Sequence, residues 1–153
     1  MTSVAARYAV AVFAVILLGL VAGLLLGAGM TNYTAKGLPE ASWTMGFQYE
    51  DALFAKVMPS FFITTLVALT LSGFLTRGSA RGFFFAAAIL ALGVIVISVR
   101  GEVPLNKQIQ SWVPGAAPAN WAGVRDRWLS NHLWRTIAGM VGFVCAAIGL
   151  ARM

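Results

Sequence analysis

Charge is scarce in this chain. Only five of its 153 residues are acidic, and all charged residues together make up 10%, against roughly 25% in a soluble domain. Hydrophobic residues make up 59%, too much for a single water-soluble core of this length to cover, so lipid has to shield part of the surface. One cysteine, Cys145, excludes an intrachain disulfide. The shortage of metal ligands excludes more. A di-iron carboxylate bundle needs about four Glu and two His, whereas this chain has Glu40, Glu50, Glu102 and one histidine, His132. One His and one Cys cannot build a structural zinc site, and haem would need His132 with a methionine or with a second copy of itself. We therefore expect neither metal nor cofactor. The net charge of +6 is spread among hydrophobic runs and forms no solvated basic face. That pattern argues against nucleic acid and leaves the lipid bilayer, with its anionic headgroups, as the partner.

What the chain has is four hydrophobic runs: Ala9 to Met30, Val57 to Leu75, Phe83 to Val99, and one starting at Thr136. A bilayer core about 30 Å thick takes roughly 17–25 helical residues, and backbone groups in lipid must bond within their own segment. The pattern predicts an all-α integral membrane protein: one domain over residues 1–153, folded as an antiparallel four-helix transmembrane bundle. The helices fall at about 5–30, 50–76, 81–100 and 119–152, with a structured loop between the third and fourth. In that loop "PLNKQIQSW" predicts a short helix near 104–113, with Pro104 in its first turn. The first run is longer than a signal h-region and reads as a retained helix. Thr31 to Tyr49 reads as an Ω-like cap, and "TRGSARG" as a tight turn. Pro59 marks a kink or the first turn of the second helix. "FFF" (Phe83 to Phe85) reads as an interfacial or lipid-facing cluster.

Orientation rests on basic residues. The side holding both termini carries Arg7, Arg77, Arg81 and Arg152 and no acid. The other carries Lys36, Lys56, Arg100, Lys107, Arg125, Arg127 and Arg135 with all five acids. The raw count favours the second side. The short, purely basic "TRGSARG" is where the positive-inside rule discriminates best, and it places the termini in the cytoplasm, with a bacterial inner membrane as the setting. Gly19, Gly23 and Gly27 share one helical face, a spacing that predicts close packing inside the bundle or, as the alternative, a seam in a homodimer or larger membrane complex.

One stretch breaks the avoidance of charge: "WAGVRDRWLSNHLWRT" (Trp121 to Thr136). The last hydrophobic run is too short to span alone, so this stretch is expected to be continuous with it. As a helix, Trp121, Arg125, Trp128, His132, Arg135 and Gly139 form one stripe that ends at a glycine, where space opens; Asn131 lies at its border. Trp134 and Arg127 fall on other faces, as headgroup anchors. Ionisable residues near membrane depth usually face the bundle interior and mark a functional path. Arg125 or Arg135 can instead pair with Glu50, Asp51 or Glu102 and pin the loops. Asn106 is either a turn residue or an amide offered to a ligand.

"VPLNKQIQSW", a later Trp and "VRDRWLSNHLWRT" resemble the C-terminal signature of the anthrone oxygenase-like family of small four-helix membrane proteins. The glycine-bearing first helix and the "F..VMP" pattern at Phe54 to Pro59 also fit. The resemblance implies oxidation of the central methylene of a polyphenolic anthrone to a quinone carbonyl with dioxygen. It singles out Asn106, Trp112, Trp121, Arg125, Trp128, His132 and Arg135. In a cofactor-free reaction His132 would be the base, since imidazole titrates near neutrality and adjacent cations favour its neutral form. Arg125 and Arg135 would steady developing anions, and Asn106 would orient a carbonyl. Trp112, Trp121 and Trp128, with Asn131, would hold a hydrophobic aromatic small molecule. Tyr33, Trp43 and Tyr49 would add wall, at the end of the bundle opposite the termini. The alternative is a non-catalytic accessory or lipid- or quinone-binding subunit. An enzyme requires His132, Arg135 and Asn106 to converge on one cavity; an accessory subunit would turn them to lipid or pair them with loop carboxylates.

Overall fold

A computed structural model describes residues 3–153. Helix α1 spans Val4–Thr34, opened by the Ser3 side chain accepting from the Ala6 amide. Helix α2 spans Glu40–Leu75 and α3 Gly78–Ile97. A π-helical segment, Ser98–Glu102, joins α3 to the short α4, Val103–Gln110. Helix α5 runs unbroken over Trp121–Ala151. Four helical segments are long and apolar enough to cross a membrane, among them Gly78–Gln110 taken as one.

The expected cap from Thr31 to Tyr49 is replaced by helix. Helix α1 continues to Thr34, a 3-10 turn covers Ala35–Gly37, and α2 starts at Glu40 behind Pro39. Polar letters hid an amphipathic pattern there. Trp43, Thr44 and Phe47 share a face and are buried, so burial overrides the loop-like composition. Three polar ties hold this end closed. Glu40 accepts from the Gly115 amide, Gln48 donates to the Ile109 and Trp112 carbonyls, and Arg125 donates to the Lys36 carbonyl.

The π segment has a local cause. Pro104 offers no N–H and its ring would crowd the carbonyl four residues back, so the helix widens just before it. The widening lets the chain continue as helix where a plain loop was expected at Arg100.

Small residues set the spacing of the bundle, though not where the sequence spacing placed them. Gly19 abuts Phe143, but Gly23 and Gly27 face outward with nothing near an added Cβ. The close approach of α1 to α5 is made instead at Gly29 and Gly139. The space expected at Gly139 is filled by Leu25 of α1. Phe84 is fully buried and core, whereas Phe83 and Phe85 are half-buried, Phe85 packing on Gly73 and against the exposed Phe74. The lipid-facing reading of "FFF" therefore fails for its middle ring. Pro59 lies in the interior of α2.

Gly29 and Gly27 make a discriminating pair. A Cβ on Gly29 would stand 3.0 Å from His132 Cδ2, and that ring is bonded on both sides. Gly29→Ala should therefore lower stability by about 1–3 kcal/mol. Gly27→Ala should be neutral or stabilising by up to about 1 kcal/mol. Unfolding of both variants in mixed detergent micelles checks this.

Candidate functional site

A cavity of about 330 Å³ lies between α1, α2, the π segment and α5. It is in the half of the molecule built from the C-terminal part of α1 and the N-terminal part of α5, away from the termini. A second cavity, about 220 Å³, sits at the other end beside Arg7, Arg77 and Arg152.

Helix α2 supplies one wall with Phe47, Asp51, Phe54, Met58 and Phe62, a stripe at helical spacing, and Glu50 beside it. Opposite them stand Ser98, Glu102 and Asn106, with Trp128 and Arg135 from α5. The buried charge is concentrated at Glu102, which is 2% exposed. Its Oε2 pairs with Arg135 Nη1 at 2.5 Å. Arg135 also donates to Ser98 Oγ at 3.1 Å. Glu102 Oε1 has no hydrogen-bond partner. His132 Nδ1 lies 3.3 Å from it.

His132 lies behind this pair rather than in the wall. Its Nε2 is 2.8 Å from the Leu25 carbonyl. A carbonyl only accepts, so Nε2 carries a proton. Its Nδ1 is 2.9 Å from Arg135 Nη2, and a guanidinium only donates, so Nδ1 accepts and the ring is neutral in this arrangement. A proton on Nδ1 would instead turn toward Glu102 Oε1. The imidazole stacks on Trp128 with centroids 4.7 Å apart. Of the two arginines expected beside His132, Arg135 is bonded to it and Arg125 is not, and a carboxylate, Glu102, is its neighbour too.

The other expected site residues divide. Asn106 is in the wall, but both ends of its amide are engaged. It donates to Asp51 Oδ1 at 2.6 Å and accepts from Trp128 Nε1 at 2.8 Å. Arg125 is away from the cavity, bonded to Asp126 and the Lys36 carbonyl and lying over the Trp121 ring. Trp112 and Trp121 do not reach the cavity. They belong to an aromatic cluster with Trp43, Phe47 and Trp128 that roofs it. Asn131 lies against Gly101. Tyr33 and Tyr49 point outward, and Trp43 is buried in the roof. Arg127 and Trp134 are exposed on the outer faces of α5.

Glu50, Asp51 and the phenylalanines of α2 were not anticipated as wall, because their segment read as loop or as plain membrane helix. The signal was present. Phe47, Asp51, Phe54, Met58 and Phe62 repeat every three or four residues once α2 is allowed to start at Glu40. Glu102 was considered only as an anchor for an arginine. Among the described residues no group of three His, Cys, Asp or Glu side chains is arranged to hold a metal ion.

A four-span helical membrane protein with a charged cluster in the wall of a largely apolar cavity is the class these features define. The sequence model of the anthrone oxygenase family matches residues 49–145, more than half of the chain, and the chain belongs to that family. No curated protein and no solved structure matches it.

Removing one member of a buried ion pair strands the other, at a cost of about 3–5 kcal/mol. Arg135→Gln should show a loss of that size. Arg135→Gln combined with Glu102→Gln should cost clearly less than the sum of the two single changes. Detergent unfolding of all three variants closes the cycle, and additive losses would show that the pair is uncoupled.

Proposed function

We propose that this chain is a membrane-bound oxygenase that converts the central methylene of a polycyclic phenol to a quinone carbonyl, using dioxygen and no bound cofactor. In this reading the four spans run antiparallel in a bacterial inner membrane with cytoplasmic termini, and the substrate is a hydrophobic aromatic small molecule in the larger cavity. The observation that carries the proposal is Glu102, a buried carboxylate in the wall of that cavity with His132 Nδ1 3.3 Å from its Oε1. The volume of about 330 Å³ falls in the range of about 300–1,000 Å³ that suits small ligands. Membership of the anthrone oxygenase family supports the reaction class.

The Glu102 carboxylate takes a proton from the methylene, and His132 Nδ1, 3.3 Å from its Oε1, is placed to receive it in turn. His132 is thus the proton store, with Glu102 as the group that meets substrate. The carbanion left behind is delocalised over both rings and the existing ketone. It passes one electron to dioxygen, and the resulting radical and superoxide combine to a peroxide at the same carbon. The stored proton returns to the peroxide. Loss of the second methylene proton, with O–O cleavage, leaves the carbonyl and water. One oxygen atom of dioxygen ends in the quinone and the other in water. Arg135 faces the cavity and stabilises negative charge as it develops. Trp128 and Phe47 bound the slot for the rings, and Asn106 holds Trp128 in place. Arg125, Trp112, Trp121 and Asn131 support the roof and the packing of α5.

The geometric criterion for an enzyme is met by Arg135 and Asn106, which line the cavity, and not by His132. The pairing of Arg135 with Glu102 and of Asn106 with Asp51 favours the accessory-subunit reading. The two readings differ in turnover, so one assay separates them. Protein in lipid nanodiscs should convert 1,8-dihydroxyanthrone to its quinone well above the protein-free rate, with one labelled oxygen per quinone from ¹⁸O₂. Glu102→Gln should lose roughly 10²–10⁴-fold. His132→Gln should lose less, because the base itself remains. Quinone formation no faster than background removes the oxygenase reading. A larger loss from His132→Gln than from Glu102→Gln would make the histidine the base.

A further inference from the structure

The charges around the larger cavity are unbalanced. Three carboxyl side chains stand in its wall, Glu50, Asp51 and Glu102, against one cation, Arg135. That cation is already committed to Glu102. Glu50 and Asp51 lie within electrostatic reach of Arg135 but are hydrogen-bonded only by neutral amides. Asn32 donates to Glu50 Oε2 at 2.7 Å. Asn106 donates to Asp51 Oδ1 at 2.6 Å and Gln110 to Asp51 Oδ2 at 2.9 Å. Neither residue forms a salt bridge among the described residues. Lys56, the nearest cation along α2, is exposed and outside the wall. The exposed members of the wall are Leu24, Ala55, Pro59, Ile63, Val99 and Val103, all apolar. The exposed part of the wall is therefore hydrocarbon-compatible, while Glu50 and Asp51 are half-buried and Glu102 is buried.

We infer that the cavity admits an uncharged, hydroxyl-bearing polycyclic ligand from the bilayer and rejects the same ring system when it carries a carboxylate. The inference rests on the oxygenase reading for the kind of ring system that enters, and the wall alone supplies the selectivity. Phenolic hydroxyls donate hydrogen bonds, and the free lone pairs of Glu50 and Asp51 accept them. A ligand carboxylate brings acceptors to a wall of acceptors, and it meets like charge where the effective dielectric is low. It also has to leave water for an apolar mouth, which an ion does at high cost.

The test measures binding rather than turnover. Calorimetric titration of the detergent-solubilised full chain compares three quinones: 1,8-dihydroxyanthraquinone, its 3-carboxylate and its 3-carboxamide. The carboxamide matches the carboxylate in size and lacks its charge. The dihydroxyquinone and the carboxamide should bind with similar affinity, and the carboxylate about tenfold or more weaker. Glu50→Gln keeps an acceptor for Asn32 and removes one negative group, so it should narrow the gap between carboxylate and carboxamide severalfold. Equal affinity for these two ligands, a gap that Glu50→Gln leaves unchanged, or no binding of any of the three overturns the inference. A selective cavity in a protein that forms no quinone from the anthrone would sink the oxygenase reading and leave the selectivity standing.

Discussion

The pairing of Arg135 with Glu102 inside the helical assembly is the constraint around which this half of the molecule is arranged. Two opposite charges removed from water hold their place only if the remaining donors and acceptors are met. Here most of them are. Arg135 reaches Ser98 and His132 as well as the carboxylate, and His132 is anchored through its far nitrogen to the Leu25 carbonyl of α1. One bonded chain thus crosses from the π segment through α5 to α1. The exception is Glu102 Oε1, which has no hydrogen-bond partner and lies 3.3 Å from His132 Nδ1.

Backbone irregularity makes this pairing possible. Helix α3 would have to end near Ile97 if Pro104 broke it outright. The π segment instead carries the chain through Ser98–Glu102 and into α4. It presents Ser98 and Glu102 to the same guanidinium. Close packing does the rest. Gly29 leaves room for the imidazole against α1, and Gly101 leaves room for Asn131. The aromatic roof of Trp43, Phe47, Trp112, Trp121 and Trp128 then closes the end of the cavity without entering it, apart from Phe47 and Trp128.

Much of this was legible in the letters. The four hydrophobic runs announced four apolar helices, and the spacing of Trp121, Arg125, Trp128, His132 and Arg135 announced an inward stripe on one continuous helix, which α5 provides. The same reasoning failed where polar composition was taken for loop. Trp43 and Phe47 are buried and helical in a segment rich in Glu, Gln and Gly, because the aromatic pattern outweighs the polar one. It failed again at Gly23 and Gly27, whose regular spacing says that they share a face and cannot say which neighbour that face meets.

The sequence by itself determined the solvent and the secondary structure. Too few charges for water and four long apolar runs leave only helices in lipid, since backbone groups there must be bonded within each segment. It also determined that one histidine, one Trp/Arg stripe and a handful of carboxyls are all the chemistry available. Only the tertiary structure decided which of these meet. Glu102 and Arg135 are 33 positions apart in the chain, Asn106 and Asp51 are 55 apart, and His132 and Leu25 are 107 apart. Such contacts depend on how helices approach and rotate against one another, and that is settled by where small residues permit contact and where a buried charge finds its partner. Periodicity along one helix records its faces; the identity of what each face touches is a property of the packed bundle.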